Sequence, residues 1–204
     1  MKKARIAVLV SGGGTNLQAL IDAQSSGVLR SGEIAVVISN KAGAYALERA
    51  SLANIEAVTI LKKDCGDTQK GFEEVLAASL EARDIDLIIL AGFLSVLSED
   101  FVKKYPKRII NVHPSLIPSF CGDGYYGLRV HNEALKRGVK VTGATVHYVN
   151  EITDGGEIIF QKAVEVEKGD TPATLQKRVM EQAEWIILPQ AAELVSKKIV
   201  EERD

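Results

Sequence analysis

Two cysteines, Cys65 and Cys121, stand far apart in 204 residues, with no CxxC pair and no metal-ligand spacing around them. That scarcity excludes a disulfide framework or a zinc-built fold and points to a reducing compartment, the cytoplasm. Cys121 also lacks any local signature of a nucleophile. Long hydrophobic runs are missing too: nothing is long enough to span a membrane, and the opening MKKARIAVLVSGGG passes from a short apolar stretch straight into glycines. Nor is there an excess of one charge. With 25 basic and 27 acidic residues the formal charge is −2, which leaves no basic field for nucleic acid. What remains is ordinary globular composition, 46% hydrophobic and 25% charged, long enough to bury a core without staples. A single domain over residues 1–204, acting on small molecules, is the expectation.

Short apolar runs (RIAVLVS, EIAVVISN, EAVTIL, DLIILAGF) alternate with helix-period segments (TNLQALIDAQSSG, AYALERASLA, DTQKGFEEVLAASLEARD). AVLV, AVVI and LIIL are apolar at consecutive positions, as strands buried on both faces require. The fold class is therefore α/β: a mostly parallel twisted sheet with helices on both faces, Rossmann-like in its first half. Further on come a short helix (SEDFVKKYP), a strand (IINVH), a long loop through Gly127, and a helix (VHNEALKRG). Two β-rich runs joined by EITDGG then read as an antiparallel pair. The end is helical, with Pro189 expected to break or kink it.

Three places carry chemistry. SGGGTNLQAL joins the first strand to the first helix, either as a tight turn or as an anion site at the helix start, with Thr15 or Asn16 as cap. It matches neither a nucleoside-triphosphate loop nor GxGxxG, so a single terminal phosphate is the ligand it suits. In IINVHPSL, Asn111 and His113 stand two apart and share one face at a strand's carboxyl end, where parallel sheets open their ligand crevice. Thr145 and His147 repeat that spacing on a later strand, and Asp154-Gly155-Gly156 forms an acidic turn. The histidines have neither HxxxH nor HExxH spacing, so no metal is expected. They are either a hydrogen-bonded set inside the sheet or a reactive cluster. In the second case Asp154 beside His113 would raise that histidine's pKa, and imidazolium plus carboxamide would make an oxyanion site for chemistry at a carbonyl carbon.

The motifs SGGGTNLQAL, LAGFLSVLS, INVHPSLIPSF, VTGATVHYVNEITDGG and GDTPATLQKRVMEQAE, in this order, resemble the phosphoribosylglycinamide formyltransferases, folate-dependent transformylases of purine synthesis. The likeness extends from about residue 4 to residue 190. It implies the formyltransferase fold, with a phosphate-binding half at 1–92 and a folate-binding, catalytic half at 93–204. It also implies 10-formyltetrahydrofolate as co-substrate and glycinamide ribonucleotide as acceptor. Carried over, Asn111 and His113 would polarise the formyl oxygen, and Asp154 would tune His113 and order a proton-carrying water. Gly14, Thr15 and Asn16 would hold the phosphate, and Glu184 the ribose hydroxyls. Leu94, Ser95, Val96, Leu97 and Asn111 would line the folate site, Lys70 would reach the folate's glutamate tail, and Thr145 and His147 would support the cluster. The loop FCGDGYYGLRVH is longer than the family's compact version, and the helix before Glu184 holds one extra residue. A deformylase-like hydrolase and a non-catalytic folate- or nucleotide-binding module are the competing expectations. The sequence carries no sign of oligomeric state.

Overall fold

Five strands, β1 (Ala4–Val10), β2 (Gly32–Ser39), β3 (Glu56–Thr59), β4 (Leu87–Leu90) and β5 (Ile109–His113), run parallel, and β6 (Val141–Tyr148) and β7 (Ile158–Glu165) continue antiparallel. In the computed structural model, which describes residues 2–203, they form one sheet in the order β3-β2-β1-β4-β5-β6-β7. The consecutive apolar residues behave as strand geometry dictates. Ile6, Val8 and Val10 enter the core on one face, and Ala7 and Leu9 enter a second core on the other.

The first core packs under α1 (Thr15–Ser26), α2 (Tyr45–Leu52), α6 (Pro172–Val179) and α7 (Trp185–Glu201), and the second under α3 (Gln69–Glu81) and α4 (Glu99–Lys103). None of the described helices is long and apolar enough to cross a membrane. Three of the helix starts are written in the sequence as capping side chains. Thr68 accepts from the Gly71 amide to open α3, Ser98 accepts from Phe101 to open α4, and Thr171 with Thr174 forms a capping box around Pro172 at α6.

Two expectations change. Neither Thr15 nor Asn16 caps α1: Gly14 takes the cap position in the left-handed region at φ 71°, which moves both residues into the first helical turn. Pro189 does not end its helix either. A π-helical turn, Met180–Glu184, links α6 to α7 and interrupts the ordinary hydrogen-bond ladder just before the proline, which then lies inside α7.

Because the order reverses between β1 and β4, the loops after these two strands part and open a crevice at the strands' carboxyl ends. Ser11, at the end of β1, spans that point: its hydroxyl donates to Asn40 Oδ1 (2.7 Å) and accepts from the Leu94 amide (2.9 Å).

Candidate active site

The antiparallel register of β5 and β6 sets Asn111 opposite His147 and His113 opposite Thr145. Opposed residues share a face, so four polar side chains stand together where the apolar run of β5 stops. A register shift in β6–β7 falls at Val146/His147, where a bulge re-aims the strand. His147 Nδ1 faces the Tyr148 carbonyl (2.8 Å) and carries a proton there, while Nε2 lies 3.2 Å from Asn111 Nδ2. Asn111's second N–H is free of that contact, and the residue lines a cleft of about 420 Å³ together with His113, His147 and Asp154.

Asp154, in the left-handed region at φ 55°, brings its Oδ2 to 3.4 Å from His113 Nδ1 and its Oδ1 to 3.6 Å from His147 Nε2, and accepts from the Gly122 amide (2.9 Å). Burial pushes its carboxyl up, but the two histidines and that amide together hold it below the usual value. His113 differs from expectation. Burial lowers its pKa by more than Asp154 and the Phe120 carbonyl raise it, so the net direction is down. Thr145 lies behind the cleft: its hydroxyl donates to the Ser115 carbonyl (2.7 Å) and accepts from the Ile117 amide (3.1 Å), fixing the turn that follows His113.

His131, the remaining histidine, is fully buried on α5 (Leu128–Arg137), and neither ring nitrogen has a partner. Desolvation, with a smaller push from His113, lowers its pKa to about 4. Unfolding restores a value near 6.5, so the unfolded chain binds the extra proton, and stability present above pH 6.5 is lost as pH falls toward about 4. His131→Phe should therefore gain about 2 kcal/mol over the wild type at pH 5 relative to pH 8. Thermal melts at the two pH values check this; an equal difference at both would remove His131 as the cause.

At the other end of the cleft Asn16 Nδ2 donates to Glu184 Oε2 (2.7 Å). Burial, partly offset by that amide, raises the Glu184 pKa to about 7. The unfolded value is 4.5, so the stabilising protonated form is lost as pH rises through about 7. Glu184→Gln should make the protein more stable than wild type at pH 8, by about 2–3 kcal/mol, and change little at pH 4.5. A melting-temperature difference independent of pH would sink that account.

No side chain caps α1, so the amides of its first turn point out past Gly14. Arg49, which no motif flagged, braces this loop: Nε donates to the Gly13 carbonyl (2.8 Å), Nη1 to Gln18 Oε1 (2.9 Å), and the guanidinium sits 4.9 Å over the Tyr45 ring. Thr15 lines a neighbouring cavity between α1, α2 and α7, and its hydroxyl reaches Met180 Sδ (3.7 Å).

The segment Leu94–Leu97 forms a cleft wall, with Leu94 and Val96 more than half exposed and Leu97 buried. Glu73, buried on α3, holds it by accepting from the Ser98 amide (2.7 Å) and from Gln69 Nε2 (2.7 Å), which also donates to the Val96 carbonyl (3.0 Å). Lys70 stands apart, on the exposed side of α3 beside Glu74 (3.9 Å) and outside the cleft lining. Helical spacing explains this: one residue's step turns the side chain about 100° away from Gln69. Among the described residues no three His, Cys, Asp or Glu side chains gather as a metal site.

Residues 4–192 match the family described as formyl transferase. The trifunctional purine biosynthetic protein adenosine-3 of Homo sapiens is 46% identical over 98% of this chain, and the chain spans 19% of that protein's length. Phosphoribosylglycinamide formyltransferase of Haemophilus influenzae is 41% identical over 93% of the chain and 84% of its own length. Among solved structures, glycinamide ribonucleotide transformylase 1 from Symbiobacterium toebii superposes with a TM-score of 0.89 at 41% identity, covering 96% of this chain and 89% of that one. The phosphoribosylglycinamide formyltransferase of Coxiella burnetii in complex with CHES gives 0.86 at 40% identity, covering 97% and 89%.

Proposed function

Since the chain belongs to the formyl transferase family, we propose that it transfers the formyl group of 10-formyltetrahydrofolate to the amine of 5'-phosphoribosylglycinamide, a step of purine biosynthesis, within a single domain. The observation that carries this reading is the convergence of carboxamide, imidazole and carboxylate on one cleft: Asn111 tied to His147 at 3.2 Å, and His113 Nδ1 at 3.4 Å from Asp154. The rest of the cleft fits the two substrates. The apolar wall at Leu94–Leu97 suits a flat ring system, and the uncapped start of α1 suits a phosphate. Glu184, which accepts from Asn16 and lines the same cleft, suits a sugar hydroxyl.

In this mechanism the acceptor amine attacks the formyl carbon, and the carbonyl electrons move onto oxygen. Asn111 offers its remaining N–H to that oxygen. Although burial favours neutral His113, the growing negative charge favours its protonated form, and Asp154, 3.4 Å from Nδ1, stabilises the resulting cation beside the oxyanion. Asp154 also holds the water that takes the proton from the attacking nitrogen and delivers it to the departing folate nitrogen as the carbon–nitrogen bond breaks.

The test is incubation with 10-formyltetrahydrofolate, with and without the ribonucleotide, following folate absorbance and identifying the formyl product. Transfer that requires the ribonucleotide is the expected result. Free formate without it would replace the reading by a hydrolase, and folate binding without turnover by a binding module.

A further inference from the structure

The loop from Phe120 to Gly127, which lines the cleft from Gly122 onward, is a part of the site that neither the substrates nor the mechanism has used. Its backbone touches the reactive pair at two points. His113 Nε2 lies 2.9 Å from the Phe120 carbonyl, and the Gly122 amide lies 2.9 Å from Asp154 Oδ2. A carbonyl oxygen only accepts, so the ring nitrogen facing it carries the hydrogen. That contact selects the Nε2–H form of a neutral His113 and leaves Nδ1 as the open nitrogen, 3.4 Å from the carboxylate. An amide only donates, so Gly122 orients Asp154 as the acceptor and favours its charged form.

Two backbone contacts are useful only if the loop stays down. Phe120 at φ 51° and Gly122 at φ 88° turn the chain so that one carbonyl and one amide, two residues apart, both face inward. A single side-chain latch then joins the loop to the turn carrying Asp154: Thr153 Oγ1 donates to Asp123 Oδ1 (2.8 Å). Both latch residues are solvent-exposed and belong to neither core.

We propose that the Phe120–Gly122 backbone, locked onto the Asp154 turn by the Asp123–Thr153 hydrogen bond, is a positioning element that selects the His113 tautomer and orients the Asp154 carboxylate for the transfer. This rests on the formyl-transfer reading for its kinetic consequence, but its structural consequence is independent of any substrate. Asp123 and Thr153 are positioning residues, since they act on His113 and Asp154 only through the loop.

The experiment combines histidine 15N NMR with steady-state kinetics on wild type, Asp123→Ala, Thr153→Val and Thr153→Ser. The chain has three histidines, and the His113 signals are assigned by their loss in His113→Asn. Wild type should show His113 protonated on Nε2 at neutral pH. Asp123→Ala and Thr153→Val should each give a mixture of tautomers and lower kcat about five- to tenfold, the loss of one exposed hydrogen bond, with KM for the ribonucleotide within about twofold. Thr153→Ser, which keeps the hydroxyl, should restore both. An unchanged tautomer in the two latch variants, or a fall in kcat that Thr153→Ser does not rescue, overturns the proposal. If the wild-type protein transfers no formyl group, the formyl-transfer reading fails by itself, and the tautomer comparison still decides whether the latch positions His113.

Discussion

Asp154→Asn is expected to lower kcat by about two to four orders of magnitude, the range of a positioned proton-transfer group, while ribonucleotide affinity stays within about twofold. The substitution keeps the size of a side chain whose Oδ2 accepts from Gly122 (2.9 Å) and faces His113 Nδ1 (3.4 Å). It removes the charge that stabilises His113 in its protonated form and the acceptor that holds the proton-carrying water. If the amide turned its NH2 toward Gly122, it would also set two donors against each other, so the carboxamide should settle with its oxygen there and its NH2 toward the histidines. Single-turnover kinetics with saturating formyl donor, paired with calorimetric titration of the ribonucleotide, separates the two effects. Turnover at the wild-type rate would take Asp154 out of the mechanism.

Gly14→Val is expected to act at the other end, weakening ribonucleotide binding by roughly a hundredfold or more through loss of the phosphate contacts. Two physical obstacles coincide at this position. The φ of 71° is one that a β-branched residue adopts only with strain, and a Cβ built there lies 2.7 Å from Ala46 Cβ and 2.9 Å from Ala46 Cα. The backbone of α2 cannot yield as a flexible side chain would, so the loop and the start of α1 must shift together. Titration with inorganic phosphate and with the ribonucleotide measures the loss, and a thermal melt shows whether the fold survives it. Gly14→Ala supplies a milder case with the same φ. Phosphate affinity retained in a folded Gly14→Val protein would make SGGGT only a turn.

Local chemistry was legible wherever it repeats along the chain. The strands are marked by consecutive apolar residues because both faces of a parallel sheet are covered, and α3, α4 and α6 are marked by the hydroxyl residues Thr68, Ser98 and Thr171 that satisfy their first amides. Gly14 shows the limit of this logic, since two capping-type side chains follow a glycine that takes the cap position itself. Lys70 shows another, because a charge of the right sign one residue from Gln69 points into solvent.

By itself the sequence determined the α/β class, the succession of elements, the pairing of Asn111 with His113 on one strand face and the glycine turn before α1, all of which follow from spacing within a segment. Only the tertiary structure decided what lies opposite what: His147 across from Asn111, Asp154 beside His113, Glu184 against Asn16, and the Phe120–Gly122 backbone against His113 and Asp154. It also decided that burial outweighs the carboxylate at His113. Register and desolvation depend on residues up to 168 positions apart in the chain, and a property set by distant neighbours has no period for a sequence to display.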